Sequence, residues 1–203
     1  MELLRARRIA DELLRGIRPH CHRAEVAGSV RRGKREVGDI EIICIPKYET
    51  VPTGNDLFRE EEKRNNLLFD HWATSVPFTW IKPNTDRIAP WQISPDGKYW
   101  RGLLPEGVKL DLWIAKRENW GFLFTVRTGP KDFSKKLVTF SALRGYPCKD
   151  GYVWCAGDRL VISEEDQMFR LLDLEWIAPE DRDDQEAVAG AGLILPEQRS
   201  RVS

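Results

Sequence analysis

The chain has 203 residues, 41% of them hydrophobic, with eight Trp and eight Phe; that is enough apolar material for a real core and excludes global disorder. Its 32 Lys and Arg offset 32 Asp and Glu, so net charge alone carries no signal for a polyanionic partner. No apolar run approaches the roughly 20 residues that span a bilayer, and the charged N-terminus lacks the apolar stretch of a secretory signal. In chain order, Leu3, Leu4, Ile9, Leu13, Leu14 and Ile17 fall near helical spacing, which predicts an amphipathic helix over 2–18 with an Arg-rich outer face. AEVA (24–27) predicts a short strand, and GSVRRG (28–33) follows as a glycine-bounded turn that opens a short helix. DIEIICI (39–45) alternates and is β-branched, predicting a strand closed by Pro46. Residues 50–58 read as loop and 58–73 as helix, while 74–95, rich in Pro and Trp, carries no clear pattern. KYWRGLL (98–104), the turn PEG (105–107) and VKLDLWIA (108–115) predict a β-hairpin. Helices are predicted over 118–127 and 131–144, a small hairpin over 151–162, and a helix over 163–174 with Ser163 as its N-cap.

The predicted fold class is α+β: a mixed-sheet domain with flanking helices over 1–116, a small C-terminal α/β subdomain over 117–182, and a flexible tail without pattern over 183–203. Charge is uneven along this frame. Residues 1–40 hold ten Lys and Arg against six acids, 109–149 hold nine against three, and 150–203 hold five against thirteen. Basic segments beside an acidic centre are what a polyanion-handling enzyme would show, and are also common on ordinary surfaces. Cys21, Cys44, Cys148 and Cys155 show no paired spacing, which predicts free thiols and a reducing, cytoplasmic setting.

Asp39 and Glu41 lie two apart on a predicted strand and so project to one face. Two carboxylates side by side repel unless a cation stands between them, and Mg²⁺ prefers such oxygen ligands. Asp111 sits between Leu110 and Leu112 in a second predicted strand, where an acid is costly unless exposed, paired or ligating. Three carboxylates on neighbouring strands would suit two Mg²⁺ ions, with Mn²⁺ as a substitute: one ion for an attacking hydroxyl, the other for a triphosphate. Upstream, Gly28 allows close backbone approach, Ser29 offers a hydroxyl and an N–H, and Arg32 can fork onto phosphate oxygens. A phosphate cradle ahead of a carboxylate pair points to nucleotidyl transfer. Each part has a plainer reading: a basic surface turn, a solvated strand edge, a buried ion pair.

GSVRRGKREVGDIEI resembles the nucleotidyltransferase signature of family X DNA polymerases, the DNA polymerase β-like group. VKLDLWIA resembles that family's strand with the third catalytic Asp, and FTVRTGPKDFSKKL its TG-containing nucleotide-binding region. ALRGYPCKDGYVW and ISEEDQMFRLLDLEWIAPEDR resemble its C-terminal subdomain. The resemblance implies a metal-dependent DNA polymerase that adds dNMP from a dNTP to a primer 3′-hydroxyl on primer-template or gapped DNA, as a monomer. It implies that Asp39, Glu41 and Asp111 bind two Mg²⁺ ions, with Asp111 helping to deprotonate the primer hydroxyl. Ser29 and Arg32 would hold the β and γ phosphates beside Gly28 and Gly38; Gly129 would approach the sugar, and Phe133 and Ser134 would lie near the base.

The chain also departs from that pattern. About 23 residues precede the core, too few for the family's helix-hairpin-helix or lyase domain, so a reduced form is expected. Val126-Arg127 replaces an aromatic pair, Ser134 an Asn, and Val138 an Arg that often contacts template. These replacements keep a second acceptor class open: non-templated ends, RNA, a protein or a small molecule. His20-Cys21-His22 is discounted as a zinc site because adjacent residues do not converge on one tetrahedral ion. Trp91 and Trp100 stand out as the tryptophans to watch for base stacking.

Overall fold

The computed structural model describes residues 1–52, 62–75, 79–81 and 94–196. The chain divides into two compact units: Met1–Val30 with Lys34–Lys116, and Arg31–Gly33 with the chain from Arg117 onward. The class is α+β. A linear division after residue 116 does not anticipate that Arg31–Gly33 belongs to the second unit.

The N-terminal unit is built on a five-stranded mixed sheet. Its strands are β1 (Cys21–Val26), β2 (Asp39–Pro46), β5 (Thr79–Trp80), β6 (Tyr99–Leu103) and β7 (Lys109–Ile114), in the order β1-β2-β7-β6-β5. β2 and β7 run parallel, whereas β1–β2, β6–β7 and β5–β6 are antiparallel. Helix α1 (Leu3–Ile17) buries Ala6, Ala10, Leu14 and Ile17 in the same core as Ile40, Ile42 and Cys44 of β2 and Leu110 and Leu112 of β7. The strand period of two then sends Asp39, Glu41 and Asp111 to the opposite face.

The expected helix over 58–73 is replaced, among its described residues, by strand β4 (Glu62–Asn66), which pairs with β3 (Tyr48–Pro52), and by helix α3 (Leu67–Ser75). Residues 58–61 of that expectation lie outside the described residues. The switch sits at Asn66, whose Oδ1 accepts from the backbone N–H of Leu68 and of Phe69, each at 3.1 Å. That is an Asn cap, and it starts a helix only at the next residue. Trp91 also lies outside the described residues, and Trp100 is 2% exposed, packed edge-on to Phe69 rather than open to a base.

The C-terminal unit holds helices α4 (Trp120–Thr128) and α5 (Lys131–Leu143), a three-stranded sheet of β8 (Cys148–Lys149), β9 (Tyr152–Cys155) and β10 (Asp158–Leu160), and helices α6 (Glu165–Leu171) and α7 (Gln185–Gly190). α4 and α6 approach so closely that a Cβ at Gly121 would lie 2.1 Å from the Glu164 carbonyl oxygen; only glycine fits there. The start of α6 is displaced from the expected cap by one residue. Gln167 Oε1 accepts from the N–H of Ser163 at 2.7 Å and of Glu164 at 3.1 Å, so Glu164 holds the cap position. The tail expected to be flexible instead contains α7, capped by Asp184, with Val188 and Leu193 fully buried. Its apolar residues are few and widely spaced, which hid the helix from periodicity. All four cysteines are free, and among the described residues no helix is long and apolar enough to cross a membrane.

Candidate active site

In the N-terminal unit, parallel pairing places Glu41 opposite Asp111 and Asp39 opposite Lys109. Antiparallel pairing then places Arg101 of β6 opposite Asp111 on its other side. One row across three strands therefore reads Glu41, Asp111, Arg101, with side chains on one face. Asp111 is 4% exposed. Its Oδ1 accepts from Arg101 Nε at 2.5 Å and from the Tyr99 hydroxyl at 2.8 Å, and its Oδ2 accepts from Arg101 Nη2 at 2.6 Å. The Tyr99 ring stacks on Trp113 at 4.1 Å, which fixes the hydroxyl. Burial, followed by the hydrogen bond to Asp111, raises the Tyr99 pKa, so it acts as a donor. The bond to Asp111 also raises the Arg101 pKa. Burial and then the neighbouring Asp111 charge push the Asp39 carboxyl above its ordinary range, although Arg101 and Lys109 pull the other way.

Gly28 explains where the Glu41 carboxylate sits. Helix α2 (Gly28–Arg31) is a single turn, and Gly28 begins it at φ +61°, in the left-handed region. A Cβ there would lie 1.9 Å from Glu41 Oε2. The glycine thus makes room for a carboxylate of its own chain. Gly28→Ala is expected to displace the Glu41 carboxylate, and a crystal structure of the variant with Glu41 in a different rotamer is the measurable result. The Ser29 hydroxyl is buried and makes no hydrogen bond among the described residues. Gly38 is exposed with open space around it, at the entry to β2.

The C-terminal unit gathers a second set of charges. Arg31 Nη1 and Nη2 donate to Glu165 Oε1 and Oε2 at 2.8 and 2.6 Å, and Nη1 also donates to the Thr128 hydroxyl at 2.6 Å. Arg182, fully buried, reaches the same carboxylate at 2.9 Å and lies over the rings of Phe133 and Phe169. Arg32 donates from Nε to Asp183 at 3.0 Å and from Nη1 to the Thr128 carbonyl. Gly129 leaves room for that guanidinium, since a Cβ at 129 would come within 2.9 Å of Arg32 Nη1. Two residues expected near a base are engaged inside this unit. Phe133 is 1% exposed against Phe169, and the Ser134 hydroxyl donates to the Val126 carbonyl at 2.7 Å.

Residues 124–183 match the DNA polymerase beta thumb. The match relates the chain to the polymerase β-like group over that segment, which includes Thr128, Gly129, Phe133, Glu165 and Arg182. No curated protein matches the chain.

Among the described residues, no group of three or more His, Cys, Asp and Glu side chains converges as a metal cage would. The donor set still fits a hard divalent cation in kind: three carboxylates on adjacent strands, one seated in the gap at Gly28 and one, Asp39, whose charge is disfavoured by burial and then by the neighbouring Asp111. Asp111 is the corner committed elsewhere, to Arg101. Reasoning from sequence passed over Arg101, Tyr99, Arg31, Glu165 and Arg182. For Arg101 a signal existed: a hairpin folded about residue 106 pairs 101 with 111.

Proposed function

We propose that this protein is a metal-dependent nucleotidyltransferase of DNA polymerase β type, transferring dNMP from a dNTP to a primer 3′-hydroxyl during gap filling. The observation that carries the reading is the pairing of Glu41 with Asp111 on parallel strands, with Asp39 on the same face. A thumb match in the rest of the chain agrees with it. Asp39, Glu41 and Asp111 would hold two Mg²⁺ ions, or Mn²⁺ in their place. When bound, these ions supply acidification of the attacking hydroxyl and charge neutralisation on the triphosphate.

The chain's own residues do the rest. Asp111 would accept the primer hydroxyl proton once its carboxylate is released from Arg101. Arg32 would turn its planar fork to phosphate oxygens in exchange for its bonds to Asp183 and the Thr128 carbonyl. The Ser29 hydroxyl, buried and unbonded among the described residues, would donate to a phosphate. Gly38 leaves open space at the start of β2, and Gly129 leaves room for the Arg32 guanidinium. Phe133 and Ser134 are committed within the C-terminal unit, one to packing on Phe169 and the other to the Val126 carbonyl, so neither side chain faces a base. Arg32→Ala is expected to weaken dNTP binding by about tenfold or more, in line with the roughly 1.5–3 kcal/mol of a charged hydrogen bond. Equilibrium titration with a non-hydrolysable dNTP reads this directly, and an unchanged Kd removes Arg32 from the phosphate site.

A second acceptor class is favoured by one observation. Val138 is apolar where a template contact is expected, and the Ser134 hydroxyl is already bonded to backbone. Extension assays on gapped, recessed and single-stranded DNA, with each nucleotide separately, distinguish the readings. Correct-base filling of the gap supports templated synthesis; equal addition to single strands supports terminal transfer; no addition to any DNA defeats the polymerase reading.

A further inference from the structure

We propose that Arg101 is an internal counter-cation for Asp111 which an incoming divalent metal must displace, so that this side chain sets the metal affinity of the carboxylate face. The inference rests on the reading of Asp39, Glu41 and Asp111 as a metal site. It starts from register. Arg101 and Glu41 flank Asp111 on opposite sides of one cross-strand row, on the face that also bears Asp39. Without the guanidinium, the face would bring three carboxylates together with Lys109 as the neighbouring cation.

The hydrogen bonds define the competition. Asp111 Oδ1 already takes two donors, Arg101 Nε at 2.5 Å and the Tyr99 hydroxyl at 2.8 Å, which uses both of its lone pairs. Oδ2 takes Arg101 Nη2 at 2.6 Å and keeps one. A divalent ion binds oxygen at about 2.0–2.1 Å when it is Mg²⁺, closer than any hydrogen-bond donor, and needs those same electron pairs. Even where an oxygen is shared, a positive fork across both carboxylate oxygens repels a second cation. Arg101 has a way out, because its side chain is 21% exposed while that of Asp111 is 6% exposed. In the metal-free protein, the pair spares the fold an uncompensated buried carboxylate. Arg101 is thus a positioning residue: it holds Asp111 in register until metal arrives, and weakens metal binding by doing so.

The test uses the full chain without nucleotide or DNA. Mn²⁺ binding is followed by electron paramagnetic resonance for wild type, Arg101→Ala and Arg101→Lys. In parallel, Mg²⁺ is titrated into wild type while the arginine Nε–Hε signals are followed by NMR; the Arg101 signal is assigned by its loss in Arg101→Lys. The expected result is a Kd for Mn²⁺ at least tenfold lower in Arg101→Ala, with Arg101→Lys in between. The Arg101 Nε–Hε signal should shift with the same midpoint as metal binding. If Arg101→Ala does not fold, the lysine variant and the wild-type titration decide. Wild type and variants binding Mn²⁺ equally, with the Arg101 signal unmoved at saturation, overturns the counter-cation role and leaves the metal site standing. No Mn²⁺ binding by any of the three proteins overturns the metal-site reading and this inference with it.

Discussion

Replacing Glu165 with alanine is expected to destabilise the C-terminal unit by about 3–5 kcal/mol, the usual cost of removing one partner from a buried ion pair. Glu165 is 9% exposed and receives both arms of Arg31 and one arm of Arg182. Arg182 has no exposed surface, so its charge would be left in a cavity beside Phe133 and Phe169. Against a total of roughly 5–15 kcal/mol for a typical domain, that loss is severe. Thermal or urea unfolding of the variant checks it. The control is Asp166→Ala, which removes an exposed i, i+4 partner of Arg170 and should cost about 0.5 kcal/mol or less.

The same carboxylate makes the unit acid-sensitive. Burial pushes the Glu165 pKa up, but the hydrogen bond and charge of Arg31, with Arg182 behind it, outweigh burial and leave it below the ordinary value. A lowered folded pKa means that the stabilisation is complete above the unfolded carboxylate pKa of about 4.3 and is lost as pH falls through the folded value. The acid limb of the stability curve should therefore flatten in Glu165→Gln. An unchanged acid limb would show that other carboxylates govern it.

Replacing Asp39 with asparagine has the opposite profile: activity falls while the fold holds. In the proposed metal site, loss of one of the three carboxylates is expected to lower the rate of nucleotide addition by a factor on the order of 10³ or more, beyond what a single electrostatic donor usually supplies. Stability should stay level or rise. Burial and the Asp111 charge already disfavour ionised Asp39, so an uncharged amide of the same size relieves repulsion. A melting temperature that drops together with activity would mean that Asp39 serves the fold instead. Rate and melting temperature measured on the same preparation separate the two roles.

The carboxylate face was legible in the sequence because strand alternation needs no tertiary information. Asp39 and Glu41 flank a core isoleucine, and Asp111 stands between two core leucines. Arg101 was nearly as legible, since its pairing with Asp111 follows from a hairpin turning at 105–107. Gly28 was not legible as the neighbour of Glu41: that contact depends on a one-turn helix folding back over β2 at a positive φ. Nor was the Arg31–Glu165 pair, which joins residues 134 apart with no local pattern to link them. Phe133 and Ser134 invited a base-site reading by position, whereas packing of Phe133 on Phe169 of α6 takes that ring inward and the Val126 carbonyl in the last turn of α4 takes up the Ser134 hydroxyl. The charged run ahead of Asn66 lacked the apolar alternation that marks a strand, because β3 and β4 form a sheet of only two strands.

The central claim is that Asp39, Glu41 and Asp111 together support metal-dependent nucleotide transfer. Its most direct measurement is addition of one labelled dNMP to a gapped duplex by wild type and by the Asp39→Asn, Glu41→Gln, Asp111→Asn triple variant, with Mg²⁺, with Mn²⁺ and with chelator. The expected result is extension by wild type that needs the metal and is absent from the triple variant at any metal concentration. Extension by the triple variant at the wild-type rate, or none by wild type with either metal, would contradict the claim.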